Sequence, residues 1–445
     1  MKNLLNRTFK LEENNTTIKT EILAGITTFM TMAYILIVNP STLSATGMDF
    51  GALITATALA AAFGTFVMAF AANYPFALAP GMGLNAFFAY VVVLKMGYSW
   101  ELALTAIFIE GIIFILLSLF KIREALFNAI PANLKKAVSV GIGLFISFIG
   151  FQNAGIIINN DATLVGLGNL KSITVILAII GVIVTAALLV KKVKGAILWG
   201  IIITYLLGLI CQLTGIYVVN SEIGMYSLIP EKIFSSPPSL SPIFWKFDFS
   251  QVFSIDFLII IFTFLFVDLF DTLGTLIGVS SKAGYLDKDG KLPKIKQALM
   301  ADALGTTVGA VLGTSTTTTY VESASGVADG GRTGLTSFTT GMLFLLALVF
   351  SPIIFVIPAF ATAPALIIVG LFMIEHVVDI DFSDYTEALP AFLTILIMPL
   401  AYSISDGLAF GVISYVVLKL LSGKYKQIHP AMYAIAGMFL IYFIV

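Results

Sequence analysis

The sequence predicts an all-helical membrane protein built from two inverted repeats, and three observations support this fold class. The 445-residue chain is 59% hydrophobic and 11% charged, whereas soluble domains are about a quarter charged. Charge is nearly absent from long stretches: Asp49 is the only charged residue in 22–94, and 333–374 has none. The two halves of the chain also share sequence and the way in which a helix is interrupted.

The composition excludes several classes of protein. The 24 basic and 25 acidic residues cannot cover a soluble protein of this size, which excludes a soluble enzyme, a nucleic-acid binder and a disordered scaffold. The net charge of −1 also argues against a polyanionic partner. The single cysteine, Cys211, excludes a disulfide framework, and the two histidines, His376 and His429, argue against a zinc site. We therefore expect lipid contact, no nucleic acid and no metal.

Apolar runs locate the membrane spans in order, because a helix needs roughly 20 residues to cross the hydrocarbon core. The predicted spans are 20–38, 52–72, 76–92, 102–120, 138–157, 172–190, 195–217, 257–279, 297–314, 315–329, 333–358, 362–376, 388–404 and 406–421. The tail 430–445 could be a fifteenth crossing or a re-entrant or surface helix. The N-terminal segment 1–19 is polar and lacks the apolar region of a signal peptide.

Lysine and arginine predict the orientation. With a cytoplasmic N-terminus and fourteen crossings, 20 of the 24 basic residues lie inside, and only Lys95, Lys171, Lys232 and Lys246 lie outside. This is the positive-inside bias. We therefore predict a multi-pass protein of the plasma membrane with its N-terminus in the cytoplasm.

An internal repeat relates the two halves, which meet at the predicted extracellular stretch 218–255. Seven spans lie on each side, so the second half enters the membrane from the opposite face, as in many secondary transporters. Residues 56–81 align on 301–326 without a gap, and 195–205 align on 407–417. Chance matching of alanine and glycine is the alternative, but the ungapped length and the span count favour duplication.

The matched segments share an interruption: 73–85 reads NYPFALAPGMGLN and 314–331 reads TSTTTTYVESASGVADGG. Pro75 and Pro80 remove backbone donors, and four consecutive threonines favour extended backbone. We predict a short extended stretch and a half-helix in each, rather than two ordinary kinked helices. Irregular backbone at membrane depth survives only inside protein or along a cavity, and paired interruptions indicate a transporter binding site.

Acidic residues within spans are costly and usually functional. The five candidates well inside the predicted spans or at the interruption are Glu110, Asp268, Asp271, Asp302 and Glu322. We expect no lysine or arginine to lie within a span and neutralise them, so their partners are protons, cations, backbone donors or substrate N–H groups. Whether Glu110 and Asp302 bind a ligand or only hold helices together stays open.

Glu322 opens the half-helix ESASG, where N–H groups and the positive end of the helix dipole stabilise a carboxylate. Simple capping is the alternative, although Ser323 or Ser325 could cap at a lower desolvation cost. Asp268 and Asp271 are spaced i, i+3 and share one side of a helix. Burial favours a protonated carboxyl, so at least one can carry a coupled proton, unless threonine or backbone groups satisfy the pair.

Two aromatic residues flank the interruptions. Phe76 and Tyr320 could stack on a flat ligand, with ordinary packing as the alternative. His376 belongs to the acidic stretch 375–387, which we expect to be a solvated cytoplasmic loop.

Six segments carry a family resemblance: GITTFMTMAYILIVNP (25–40), FALAPGMGLNAFFAY (76–90), FVDLFDTLGTLIG (266–278), KQALMADALGTTVGA (296–310), GTSTTTTYVESASGVADGGRTGLT (313–336) and ATAPALIIVG (361–370). Together they resemble the nucleobase–cation symporters, specifically the AzgA-like branch of hypoxanthine, guanine and adenine permeases. The resemblance covers nearly the whole chain.

The resemblance implies a fold like that of the uracil permeases, with fourteen spans and a substrate between short strands in the discontinuous spans 3 and 10. A core domain of spans 1–4 and 8–11 moves against a gate domain of spans 5–7 and 12–14. In this chain the core corresponds to 20–121 and 256–358, the gate to 122–217 and 359–445, and the linker to 218–255.

The resemblance also implies residue roles. In uracil permeases an acid on span 8 and a glutamate after the span 10 strand bind the base, and by motif position these resemble Asp271 and Glu322. Tyr320 corresponds to the tyrosine two residues before that glutamate. Thr275 stands where uracil permeases carry a histidine, so we expect Asp271, Glu322 and Asp268 to handle the proton. The predicted substrate-binding residues are Glu322, Asp271, Tyr320, Phe76, Val321 and Thr275.

The predicted function is proton-coupled import of a purine nucleobase. Guanine presents N1–H and a 2-amino group side by side, which one carboxylate accepts bidentately; Glu322 fits this role, and Asp271 could accept an imidazole N–H. The alternatives are an adenine-preferring permease and an anion transporter of the same fold, which acidic site residues disfavour. The sequence lacks HExxH and a nucleophile–base pair, so we expect no enzyme and no cofactor beyond H+. The family resemblance also implies a homodimer.

Overall fold

Helices make up most of the chain, of which a computed structural model describes residues 2–119, 129–220, 225–286 and 292–444. The first half contains α1 (Lys2–Phe9), α2 (Ile18–Met32), α3 (Ile35–Leu43), α4 (Phe50–Val67), β1 (Leu78–Pro80), α5 (Met82–Ala86), α6 (Trp100–Leu119), α7 (Ala132–Asn153), the hairpin β2 (Ile157–Asn160) and β3 (Leu164–Leu167), α8 (Ile173–Val190) and α9 (Ala196–Leu213). Two π-helical segments, Met68–Ala72 and Phe87–Lys95, continue α4 and α5.

The second half repeats the pattern of long helices around one interruption. It contains α10 (Ile255–Ala283), α11 (Ile295–Leu312), β4 (Thr317–Thr319), α12 (Ser323–Ala328), α13 (Gly334–Ala347), α14 (Ser351–Phe355), α15 (Ala359–Ile374), α16 (Tyr385–Leu400), α17 (Ile404–Leu421) and α18 (Pro430–Ile444).

The predicted strands of the two interruptions are confirmed. β1 and β4 pair antiparallel at the centre of the protein, with Ala79 opposite Thr318, and all six of their residues are buried. Beyond the strands, the backbone N–H of Gly81 donates to the carbonyl of Thr316 at 2.9 Å. The pairing gives the extended backbone at membrane depth the hydrogen bonds that lipid cannot supply.

The predicted repeat is visible in α4 and α11. Residues 50–67 shifted by 245 positions become 295–312, which are the bounds of α11. The same shift is wrong for the strands: it moves β1 onto 323–325, inside α12, whereas the partner strand β4 is 317–319. The first half has a π-helical segment and a longer connection between helix and strand, so the ungapped alignment fails beyond the helix.

Ten helices among the described residues are long and apolar enough to cross a membrane, and three shorter apolar helices accompany them. The short ones include Tyr385–Leu400 and Pro430–Ile441. Fourteen crossings therefore stays a prediction, as does the path of the tail. The predicted domain boundary at 121–122 lies outside the described residues, as do four basic residues of the predicted cytoplasmic set: Lys121, Arg123, Lys288 and Lys291.

Small residues allow close helix packing between α7 and α15, as in many membrane bundles. A Cβ atom on Gly370 would overlap the Ser147 side chain and the carbonyl oxygen of Gly143. We expect Gly370→Val to force these helices apart and to lower the thermal unfolding temperature of the purified protein by several degrees. Gly437→Val is the matched control, because a Cβ there meets nothing within 4 Å. Equal unfolding temperatures for the two variants would contradict this packing.

Candidate functional site

Polar residues of the second interruption are buried because neighbouring helices supply partners for several of them. The Thr316 hydroxyl donates to Oε2 of Glu110 at 2.8 Å, and Asn39 Nδ2 donates to the Thr314 hydroxyl at 3.0 Å. Glu110 therefore holds β4 in place from α6. This contact favours the structural role for Glu110 over a ligand-binding one.

Glu322 lies at the start of α12, yet its side chain makes no capping hydrogen bond to that helix. Its Oε1 instead accepts a hydrogen bond from the Tyr34 hydroxyl at 2.8 Å. The hydroxyl of the next residue, Ser323, accepts from the backbone N–H of Ala77 at 2.9 Å and so joins α12 to the first interruption. Simple capping therefore does not explain the glutamate.

Asp271 lies beside the N-terminus of the other half-helix. Its Oδ2 accepts from the Thr318 hydroxyl at 3.2 Å, and a Cβ added to Gly81, the residue before α5, would lie 3.3 Å from the same oxygen. Asp271 and Glu322 are close enough for their charges to interact. Each half-helix thus begins next to one carboxylate, and β1 and β4 lie between them.

A cavity of about 190 Å³ reaches Asp271 from one face of the protein. Thr275 lines it beside Asp271, whereas Lys135, Lys136 and His376 line it further along. His376 lies in the short helical turn Glu375–Asp379 and its side chain is exposed. The stretch predicted as a solvated loop therefore borders this cavity.

The predicted aromatic residues differ in their surroundings. The Tyr320 hydroxyl donates to the carbonyl of Pro80, which ties its ring to the strand pair. Val321 is about half exposed. Phe76 is fully buried, and its ring packs against Tyr74, with ring centroids 5.2 Å apart. The prediction that Phe76 stacks on a ligand does not agree with this placement, because an aromatic cluster already covers the ring.

Asp268 and Asp271, predicted to share one site, have different partners. The Thr272 hydroxyl lies 2.9 Å from Oδ1 of Asp268 and 2.7 Å from Oδ1 of Asp302, and all three residues are fully buried. A hydroxyl has one hydrogen to donate, so Thr272 can donate to only one of these carboxyls at a time. Neither acid lines the cavity that reaches Asp271.

The expectation that no lysine or arginine lies within a span is wrong for Lys419, which lies in the predicted span 406–421 but, among the described residues, pairs with none of the five acids. Lys419, in the last turn of α17, is buried and its Nζ lies 2.9 Å from Oε1 of Glu387. A second ion pair close by joins Lys424 to Asp384 at 2.7 Å. Hydrogen bonds from Lys424 and Thr386 hold the pKa of the Asp384 carboxyl well below its usual value. These contacts fasten the end of α17 to the start of α16.

Two residues of this region, Tyr34 and Thr272, were not among the predicted site residues. Tyr34 lies at the break between α2 and α3, within the segment that carries the family resemblance, and only its contact with Glu322 reveals its position at the site. Thr272 lies between two acids that are 34 residues apart in the sequence. The sequence places Thr272 one helical turn after Asp268, but the approach of Asp302 depends on the packing of α11 on α10.

Two interrupted helices that meet at paired strands, with a carboxylate at each half-helix and a cavity between long apolar helices, define a membrane transporter of the inverted-repeat class. The chain belongs to the permease family Xan_ur_permease, which matches residues 19–410. The family resemblance found in the sequence is thereby confirmed, and so is the prediction that the chain is not an enzyme.

Similar proteins align along almost the whole chain. A putative permease of Methanocaldococcus jannaschii, MJ0326, is 53% identical over 98% of this chain and 97% of its own. The guanine/hypoxanthine permease PbuG of Bacillus subtilis is 48% identical over 98% of both chains. The adenine permease AdeP of Escherichia coli is 43% identical over 98% of this chain and 95% of its own.

Solved structures show the same fold at low identity. The transmembrane domain of the cyanobacterial bicarbonate transporter BicA superposes with a TM-score of 0.61 and 16% identity, covering 88% of this chain and 97% of that domain. Murine Slc26a9, an anion transporter in the inward-facing state, superposes with a TM-score of 0.62 and 12% identity, covering 92% of this chain and 69% of its own. The likeness supports the fold of two inverted repeats.

Proposed function

We propose that the protein imports purine nucleobases together with protons by alternating access. The observation that carries the proposal is the placement of Asp271 and Glu322 at the two half-helices, with Asp271 lining a cavity. Two acceptor groups suit a ligand whose edges carry N–H donors. The similar permeases named for guanine, hypoxanthine and adenine support a purine as that ligand.

Glu322 is assigned to the pyrimidine edge of the purine. Guanine offers N1–H and the 2-amino group to one carboxylate, and hypoxanthine retains N1–H. The hydroxyl of Tyr34 already donates to Oε1 of Glu322, but a carboxylate oxygen accepts more than one hydrogen bond. Tyr34 therefore orients the carboxylate and leaves it able to accept from the base. Asp271 would accept from an imidazole N–H.

An adenine-preferring permease is the second candidate. Adenine lacks N1–H, so a carboxylate could not bind that position in the same way. The similarity to the adenine permease AdeP favours testing it on equal terms with guanine. An anion transporter is disfavoured despite the shared fold, because carboxylates at the site would repel an anion.

Proton coupling is supported by the buried acids. Asp268 and Asp302 are both within hydrogen-bond distance of the Thr272 hydroxyl, and a proton on one of them would let both carboxyls hydrogen-bond to it. The charges of Asp271 and Glu322 repel each other, so protonation of one relieves that repulsion. We propose that these four carboxyls carry the coupled proton and that no other cofactor takes part.

For alternating access we propose that the core domain, with β1, β4 and both half-helices, moves against the gate domain. The paired strands make the two half-helices one unit that can move with its ligand. We further propose a plasma-membrane location, a cytoplasmic N-terminus and a homodimer. The positive-inside bias supports the orientation, and the family resemblance supports the homodimer.

The test is uptake of radiolabelled hypoxanthine into cells that lack their own purine permeases. We expect uptake to be competed by an excess of the preferred purine and to fall to background with a protonophore, because the proton gradient drives accumulation. Competition by adenine alone would favour the second candidate. Uptake that requires sodium and resists the protonophore would contradict proton coupling.

A further inference from the structure

Two ion pairs join the half-helices to distant helices at their far ends. Lys95, at the end of the helical segment that continues α5, lies 3.1 Å from Oδ2 of Asp406 at the start of α17. Asp329, at the end of α12, pairs with Lys194 just before α9. By the predicted topology, the first pair lies at the extracellular face and the second at the cytoplasmic face.

The two pairs are related by the internal repeat, with their charges exchanged. The alignment of 195–205 on 407–417 places Lys194 opposite Asp406, and Lys95 and Asp329 each end a half-helix that follows a strand of the β1–β4 pair. In one pair the half-helix carries the cation, and in the other it carries the anion. Equivalent contacts at both faces indicate a common mechanical role rather than two unrelated surface contacts.

Further hydrogen bonds fix both pairs. The Thr27 hydroxyl donates to Oδ2 of Asp329 at 2.6 Å, and Lys95 Nζ also donates to the carbonyl of Ala401 at 2.8 Å. Gly195, next to Lys194, adopts a positive φ of 69° and lies so close to the carbonyl of Met30 that a Cβ would be 2.6 Å away. The turn before α9 is therefore fitted against α2 where the ion pair forms.

We propose that Lys95–Asp406 and Lys194–Asp329 are two latches that stabilise one and the same transport state. Both are closed in a structure whose cavity extends from Asp271 to Lys135 and His376. The proposal rests on the proposed function, because each pair links a predicted core element to a predicted gate element. An ion pair loses its contact beyond about 4 Å, so movement of the half-helices against the gate breaks both latches together.

The solvent exposure of the two lysines sets how strongly each ion pair can shift the ratio of transport states. The side chains of Lys194 and Lys95 are 59% and 40% exposed, and ion pairs in such positions typically shift an equilibrium by up to about fivefold. Each latch is thus weak enough to open in every transport cycle. Loss of one latch changes the ratio of the two states without preventing folding.

The experiment measures the ratio of states by labelling the cysteine of a Gly274→Cys variant, in a chain that also carries Cys211→Ser. Gly274 lines the cavity, and a Cβ there meets no atom within 4 Å. A membrane-impermeant thiol reagent is applied to right-side-out and to inverted vesicles, without substrate. The ratio of the two labelling rates then reports which face the site opens to, whatever molecule is transported.

We expect Lys95→Gln and Lys194→Gln each to shift this ratio two- to fivefold in the same direction, away from the state in the structure. Together they should shift it by the product of the single effects. Lys171→Gln and Lys192→Gln are matched controls, because these exposed lysines form no ion pair with any part of the chain that the structure describes. They should leave the ratio unchanged.

Exchanging the charges provides the rescue. Lys194→Asp with Asp329→Lys rebuilds the cytoplasmic pair and places the cation at the end of α12 and the anion before α9, as helix dipoles favour. We expect the exchanged pair to restore the ratio. Unchanged ratios in both single variants, shifts in opposite directions, or no restoration by the exchange would each overturn the proposal. Failure of purine uptake alone would overturn only the proposed function.

Discussion

Glu322→Gln is expected to lower purine uptake about 100-fold while leaving the protein folded in the membrane. The substitution keeps the shape of the side chain but replaces one acceptor oxygen by an NH₂ donor, which would face a donor on guanine or hypoxanthine. Hydrogen bonds to charged groups contribute about 1.5–3 kcal/mol, so loss of the bidentate contact should weaken transport about 100-fold. Initial rates of labelled hypoxanthine uptake, normalised to protein in the membrane, measure it.

Glu13→Gln is the control for the loss of one negative charge. Glu13 is exposed near the N-terminus, where its ion-pair partner among the described residues is the exposed Lys10, and uptake should match that of the unaltered protein. Uptake by Glu322→Gln at the level of this control would contradict the assignment of Glu322 to the substrate. The cavity would then have to bind its ligand through Asp271.

Local chemistry explains why the interruptions could be predicted. Pro75, Pro80 and the run of threonines restrict the backbone through effects that act within a few residues, and the structure places a strand at each site. Glu322 could be predicted as a site residue for the same reason, because it lies shortly after the threonines that form β4. Signals of this kind need no knowledge of which helices pack together.

Tertiary contacts explain what the sequence could not provide. Phe76 was a plausible ligand contact until its burial against Tyr74 was visible, and Tyr34 gave no sign of its hydrogen bond to Glu322. The repeat alignment held for α4 and α11 but failed at the strands, because the first half has extra residues between helix and strand. Sequence similarity between alanine- and glycine-rich segments does not detect such an insertion.

The buried carboxyl pair also depends on tertiary packing, and it leads to the second large expected effect. Asp268 and Asp302 come from different helices, α10 and α11, and both contact the Thr272 hydroxyl. Two fully buried acids that approach one hydroxyl are stable when one is protonated, because an ionised pair would repel and both charges would be desolvated. Transport would change the energy of this proton if movement of α10 or α11 altered the contact.

Thr272→Val is therefore expected to separate substrate binding from proton-driven accumulation. Valine fills the same space but removes the hydroxyl, and a buried polar group without its partner costs about 1–3 kcal/mol, so steady-state accumulation of hypoxanthine should fall about tenfold or more. Equilibrium binding should change by less than about twofold, because Asp271 and Glu322 have other partners, Thr318 and Tyr34.

Thr263→Val, on the same helix, is the matched control for Thr272→Val, because it removes a buried hydroxyl that contacts neither Asp268 nor Asp302. Thr263 is equally buried, but its hydroxyl donates to a backbone carbonyl of its own helix, that of Ile259, at 2.9 Å, so accumulation should stay near normal. If Thr272→Val accumulates hypoxanthine as well as this control does, the coupled proton is not held between Asp268 and Asp302. If binding and thermal stability fall together with accumulation, the hydroxyl serves the packing of α10 on α11 instead. Only loss of accumulation with binding retained places the proton at this pair, one helical turn from the acid that faces the cavity.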